Sequence, residues 1–197
     1  MIADGEYDVP AGKVAGIITH LDWARPEPID PPAVRVGIAL ERKHTADLDW
    51  YRALFRKIGA DWLWTSRLTY SDEKLSAHLS DPKLDIYALQ RDGEDLGLLE
   101  LDFHQEPACE IKLFGLAPDL IGLGLGGWMM QHAKAIAMQR GCKRVHLNTC
   151  TFDSPQALSF YMNQGFVATR RVVEVFDDPR LLGHLDRSNA LQIPVIE

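Results

Sequence analysis

The chain has 197 residues, 46% of them hydrophobic and 25% charged, enough for one α/β domain with a core of ordinary size. Its 28 acidic residues against 21 basic ones give a formal charge of −7, which argues against general nucleic-acid binding, an affinity dominated by phosphate attraction. Three cysteines (Cys109, Cys142 and Cys150) show no C-x-x-C spacing and an odd count, so neither a zinc site nor a secreted disulfide framework is indicated.

The seven histidines share no metal-ligand spacing, and no metal is expected. The first ten residues carry acids and no apolar run, and no stretch reaches the roughly 18 apolar residues of a membrane span. The expectation is a cytoplasmic protein with no membrane or nucleic-acid partner.

In chain order, residues 1–45 read as an N-terminal section of the same domain, with two strands, Val14–Leu21 and Val34–Leu40. A link with Pro26, Pro28, Pro31 and Pro32 joins them in an extended form. Residues 46–197 form the body of the domain and its C-terminal tail. Thr45–Ile58 reads as a helix capped by Thr45, with Asp47 and Asp49 in its first turn and Gly59 at its end. Tyr51, Leu54, Phe55 and Ile58 make its apolar face. A second helix runs over Ser71–Leu79 with Ser71 as its cap. Three strands follow, Leu84–Leu89, Leu96–Phe103 and Glu110–Leu116, joined as an antiparallel meander. Then come a helix over Leu125–Arg140, a strand over Arg144–Cys150 and a helix over Ser154–Asn163 with Ser154 at the cap and Pro155 at N1. A long strand, Phe166–Phe176, and an edge strand within Leu191–Ile196 complete the reading. The natural packing is α/β, a mixed central sheet with helices on both faces.

Gly122-Leu123-Gly124-Leu125-Gly126-Gly127 sits between a strand and a helix. Four glycines in six positions leave backbone N–H groups bare at a positive helix end, which makes an anion site. Gly122, Gly124 and Gly127 match G-x-G-x-x-G, yet Leu147-Asn148-Thr149 stands where a dinucleotide fingerprint expects an acid. Trp128 stands where a Walker A loop needs lysine and a hydroxyl residue. A phosphate-bearing ligand of another kind is left.

The residues resemble the GNAT superfamily of N-acetyltransferases in three linked pieces. Glu110–Pro118 is similar to its fourth strand, and Ile121–Gly127 to its R/Q-x-x-G-x-G/A loop with Ile121 in place of the Arg or Gln. Ser154–Phe166 is similar to its N-x-x-A-x-x-x-Y helix, with Ser154 in place of the Asn. The resemblance implies acetyl-CoA (an acyl-CoA) as cosubstrate and acyl transfer to a primary amine by direct attack in a ternary complex. It implies pantetheine pairing with the backbone near Leu116. It also implies pyrophosphate on the amides of Gly122, Leu123, Gly124, Gly126 and Gly127, with Ser154 among the cofactor-binding positions. The acceptor is a small-molecule or peptide amine, and a homodimer is kept open.

The chemistry needs a base for the amine, a donor for the oxyanion and an acid for the departing thiolate. Tyr161, on the sheet-facing side of the Ser154–Asn163 helix, stands where the family motif has its general-acid tyrosine. Glu110, which opens its strand, is the first candidate base. Glu100 is the second, because burial in an apolar strand should raise its pKa toward working pH. His104 and His146 are conceivable bases. Trp62, Trp64 and Tyr70 could wall an acceptor groove, with Asp61 and Asp102 attracting the amine. Two other readings compete, a nicotinamide- or flavin-dependent oxidoreductase and a non-catalytic acyl-CoA sensor.

Overall fold

A computed structural model describes residues 3–24, 26–44 and 47–197. The chain runs β1 (Lys13–Trp23), β2 (Ile38–Arg42), α1 (Leu48–Gly59), α2 (Asp72–Leu79), β3 (Leu84–Arg91), β4 (Glu94–Asp102) and β5 (Ala108–Leu116). It continues with α3 (Leu125–Gln139), β6 (Arg144–Cys150), α4 (Ala157–Asn163) and β7 (Phe166–Asp177). One seven-stranded sheet has the order β2-β3-β4-β5-β6-β1-β7, mixed because β5 and β6 run parallel while every other neighbour is antiparallel.

Alternation along the strands divides two cores across the sheet. Leu89, Leu99 and Leu101 meet Leu125, Met129 and Ala133 of α3 on one face. Ile86, Ala88 and Leu98 meet Tyr51, Phe55 and Leu75 of α1 and α2 on the other. Among the described residues no helix is long and apolar enough to cross a membrane.

The two N-terminal strands do not sit together. β2 is an edge strand and β1 lies near the opposite edge, between β6 and β7. The link between them therefore crosses the α3 face. It is pinned there by Trp128 Nε1, which donates to Ala33 O at 2.9 Å, and by Gln131 Nε2, which donates to Asp30 O at 3.2 Å. The second strand starts later than the Val34 expected from sequence, because residues 35–38 close a turn, with Ile38 N donating to Arg35 O.

Other boundaries also differ. Asp47 caps α1, accepting from Trp50 N at 2.9 Å; Thr45 lies outside the described residues. Gly59 does not end α1 in a left-handed conformation. A Cβ there would lie 2.5 Å from Trp64 Cβ, so the glycine serves close packing of that indole. Ser71 caps α2 as expected. Ser154 does not cap α4, which begins at Ala157; its hydroxyl donates to Gln156 Oε1 instead. Leu191–Ile196 is not a strand. Arg180, buried beside Asp178, donates to the carbonyls of Asn189, Ala190 and Ile193 and so holds the tail in an irregular path.

Candidate active site

The parallel pair β5–β6 is short. Ala108–Ile111 pair with Arg144–Leu147, after which β5 follows β4 and β6 follows β1, and the sheet opens into a wedge. The separation begins at a bulge. Leu101 pairs with Ile111 and Glu100 with Leu113, which leaves Lys112 as the extra residue in β5. Beyond it, the wedge-facing backbone of Lys112–Leu116 has no strand partner. Those unmet donors and acceptors suit an extended ligand added like a strand.

Aromatic rings fill the inner end of the wedge. Phe114 stacks on Phe160 at 5.8 Å and meets Tyr161 edge-on at 6.0 Å. Tyr161 also packs edge-on against Phe166. Burial, with Asp153 adding to it, pushes the Tyr161 phenol above its ordinary value, so it carries its proton throughout the neutral range.

The glycine turn lies at the mouth of the wedge. Pro118–Leu120 forms one 3-10 turn, and Gly122 and Gly124 then take φ of 85° and 71°. A side chain at either would be strained. The helix has no side-chain cap and no acid in its first turn. The amides of its first turn have no intrahelical partners. Leu123 is a partial correction: its amide donates back to Leu120 O at 3.4 Å, so it is not a free donor. Gly126 faces Phe160 and Leu116, which joins the turn to the wedge.

On the α1/α2 face, two cavities of about 400 and 460 Å³ meet at Ser66, Lys112, Leu113 and Asn148. The first is polar, with Tyr70, Asp81, Asp102, His104 and Glu110 in its walls. The second is aromatic, with Trp62, Trp64, Phe152 and Phe176. Because of the bulge, Glu110, Lys112 and Leu113 all line the first cavity, although strict alternation would have turned one of three away. Glu110 Oε2 lies 2.9 Å from Lys112 Nζ.

Glu100 departs from its sequence reading. Its carboxylate is fully buried. Burial alone would raise its pKa, but hydrogen bonds from His78 and Arg67, with their charges, hold it down at about 2. It accepts from Arg67 Nη2 at 2.6 Å and from Tyr51 Oη at 2.9 Å, with His78 Nε2 at 3.0 Å. A carboxylate so engaged is a poor proton acceptor; it lies behind Arg67 and His78, which line the polar cavity. Sequence reasoning saw the apolar strand and could not see the three donors arriving from α1, the following loop and α2.

Asp61 is also reassigned. It accepts from Asn189 Nδ2 at 3.1 Å and fastens the tail, and neither cavity includes it. His104 is bridged by Asp81 and Asp102 at 3.1 and 2.8 Å. His146 lies beside Glu110 in the strand register, with Nε2 buried and unpartnered. Burial, then Arg144, lowers its pKa. Asp153, not singled out from sequence, joins the wedge to the aromatic cavity: it accepts from Trp64 Nε1, Thr149 Oγ1 and Cys150 N at 3.0, 2.6 and 2.9 Å.

Known proteins resemble this chain in family and in fold. The sequence model of the family described as Acetyltransferase (GNAT) family matches residues 48–166, well over half of the chain. No curated protein matches the chain. Among solved structures, a GCN5-related N-acetyltransferase from Sphaerobacter thermophilus aligns with a TM-score of 0.60 at 18% identity, over 83% of this chain and 52% of that one. A GCN5-related N-acetyltransferase from Kribbella flavida aligns at 0.56 and 16%, over 87% of this chain and 63% of that one. This chain thus spans less than two thirds of the length of either. The ribosomal-protein-S18-alanine N-acetyltransferase of Escherichia coli aligns at 0.56 and 13%, over 72% and 94%. At such identities the likeness is one of fold, and it is the sequence match from α1 to the start of β7 that places this chain in the GNAT family of acetyltransferases.

Proposed function

We propose that the chain is an N-acetyltransferase that moves an acetyl group from acetyl-CoA to a primary amine by direct attack in a ternary complex. The observation that carries the reading is the wedge between β5 and β6, which has the glycine turn at one end and a two-armed groove across its other side. The amides of Gly122, Gly124, Gly126 and Gly127 would hold the pyrophosphate. The backbone near Leu116 would pair with the pantetheine arm, and Ser154 stands within the loop between β6 and α4. Bound acetyl-CoA supplies an activated thioester.

Glu110, in the wall of the polar cavity, takes the proton from the attacking amine, and Tyr161 donates its proton to the departing sulfur. Cys150 is unsuited to a covalent relay: burial, with Asp153 beside it, pushes its thiol up to about 11. That favours direct attack over an acyl-enzyme. The acceptor bears its amine where the arms meet, with one polar and one aromatic or apolar extension.

The test is thiol release from acetyl-CoA across an amine panel, together with calorimetric titration of acetyl-CoA and of NAD(P). Release that depends on an amine supports the reading. Binding without release for any amine would favour a sensor, and binding of NAD(P) instead would remove the acyl-CoA assignment.

A further inference from the structure

We infer that Arg35, carried by the strap between β1 and β2, grips the pyrophosphate of acetyl-CoA from outside the glycine turn; the inference rests on the acetyl-CoA reading above. Residues 117–131 contain no Lys, Arg or His, and Asp119 is their single charged residue. The turn by itself therefore offers an anion only backbone N–H groups and a helix end. Ile121, which opens it, is exposed and uncharged.

The strap supplies the missing cation. Arg35 Nη1 donates to Leu123 O at 3.4 Å, and both terminal guanidinium nitrogens lie 3.9 Å from the place a Cβ on Gly124 would take. Its backbone is fixed on both sides. Ala33 O is held by Trp128 Nε1 at 2.9 Å, and Ile38 N closes the turn onto Arg35 O before β2 begins. The guanidinium is exposed and ion-pairs with no carboxylate among the described residues.

This placement works against the helix. The N-terminus of α3 carries about half a positive charge, and its first turn holds no acid to offset a guanidinium. One long hydrogen bond is small compensation for two like charges converging. An anion between them would accept charge-assisted bonds from Arg35 on one side and amide bonds from the turn on the other. The strap is then more than a connection between two sheet edges: it closes the phosphate cradle that α3 leaves open.

The experiment compares wild type with R35A and R35K, using acetyl-CoA, 3′-dephospho-acetyl-CoA and S-acetylpantetheine, which lacks the pyrophosphate. R35A should raise KM and Kd for acetyl-CoA about tenfold or more, the scale of a charge-assisted hydrogen bond, and R35K less. The factor should persist with the dephospho compound and shrink toward 1 with S-acetylpantetheine. R35A binding within about twofold of wild type, or an equal loss with S-acetylpantetheine, overturns the inference, the latter showing a general effect on the turn. Loss of R35A sensitivity with the dephospho compound overturns the pyrophosphate assignment in favour of the 3′-phosphate. Failure of wild type to bind acetyl-CoA at all would instead sink the proposed function.

Discussion

Arg67, in the wall of the polar cavity, donates from Nη2 to Glu100 Oε1 at 2.6 Å, and the carboxylate is wholly buried behind it. Breaking such a pair leaves a buried guanidinium uncompensated. Glu100→Gln should cost about 3–5 kcal/mol of folding stability, measured by urea unfolding at neutral pH. The pH dependence has a definite sign. The folded carboxyl is held at about 2, below its ordinary 4.5, so its contribution is full above that ordinary value and is lost as pH falls toward 2. That part of the acid destabilisation should be missing in the variant. A variant of wild-type stability that had lost only turnover would return Glu100 to the role of base.

Tyr161→Phe keeps the ring against Phe114 and Phe166 and removes only the hydroxyl. Turnover should fall by about 10²–10⁴, the usual worth of general acid–base catalysis, with Kd for acetyl-CoA and the melting temperature little changed. Unchanged turnover would end its role as acid.

Glu110→Gln should lower kcat/KM by a comparable factor in steady-state kinetics, because the proton acceptor is gone. Its stability cost should stay near 1 kcal/mol, since the Glu110–Lys112 pair borders a cavity and is partly solvated. Unchanged turnover would point to a chain of waters as the base.

Gly124→Ala probes the turn. At φ 71° an alanine is strained by about 1–2 kcal/mol, although its Cβ would meet nothing closer than the Arg35 guanidinium at 3.9 Å. The expected result in steady-state kinetics is a raised KM for acetyl-CoA with the acceptor KM unmoved. Equal change in both would mean that the turn does not discriminate between the two substrates.

The two tryptophans of the loop between α1 and α2 should separate. Trp64 packs on Phe55 and into the space left by Gly59 and Gly115, so Trp64→Ala should cost about 3–5 kcal/mol in unfolding. Trp62 is half-buried in the wall of the aromatic cavity, and Trp62→Ala should raise the acceptor KM with little loss of stability. Global unfolding of the Trp62 variant would assign it to packing as well.

Much of this was legible in local pattern. The spacing of Tyr51, Leu54, Phe55 and Ile58 marks α1, the Asp92-Gly93 turn marks a hairpin, and Arg144–Cys150 is a strand at the bounds read from sequence. Tyr161 falls on the buried side of α4 as its spacing requires. Helix starts were less legible. Ser154 has the chemistry of a cap, yet the backbone turns helical only at Ala157, and its hydroxyl finds Gln156 instead.

The sequence by itself determined the order of elements, the two-faced strands and a glycine-rich turn ahead of α3, because periodicity and glycine conformation act within a few residues. Only the tertiary structure decided the rest, since long-range pairing carries no local signature. It sent β1 and β2 to distant places in one sheet and so drew Arg35 over the turn. It put the bulge at Lys112, where β5 leaves β6. And it set the charge of Glu100, which depends not on its apolar strand but on Arg67, Tyr51 and His78 reaching it from elsewhere in the chain.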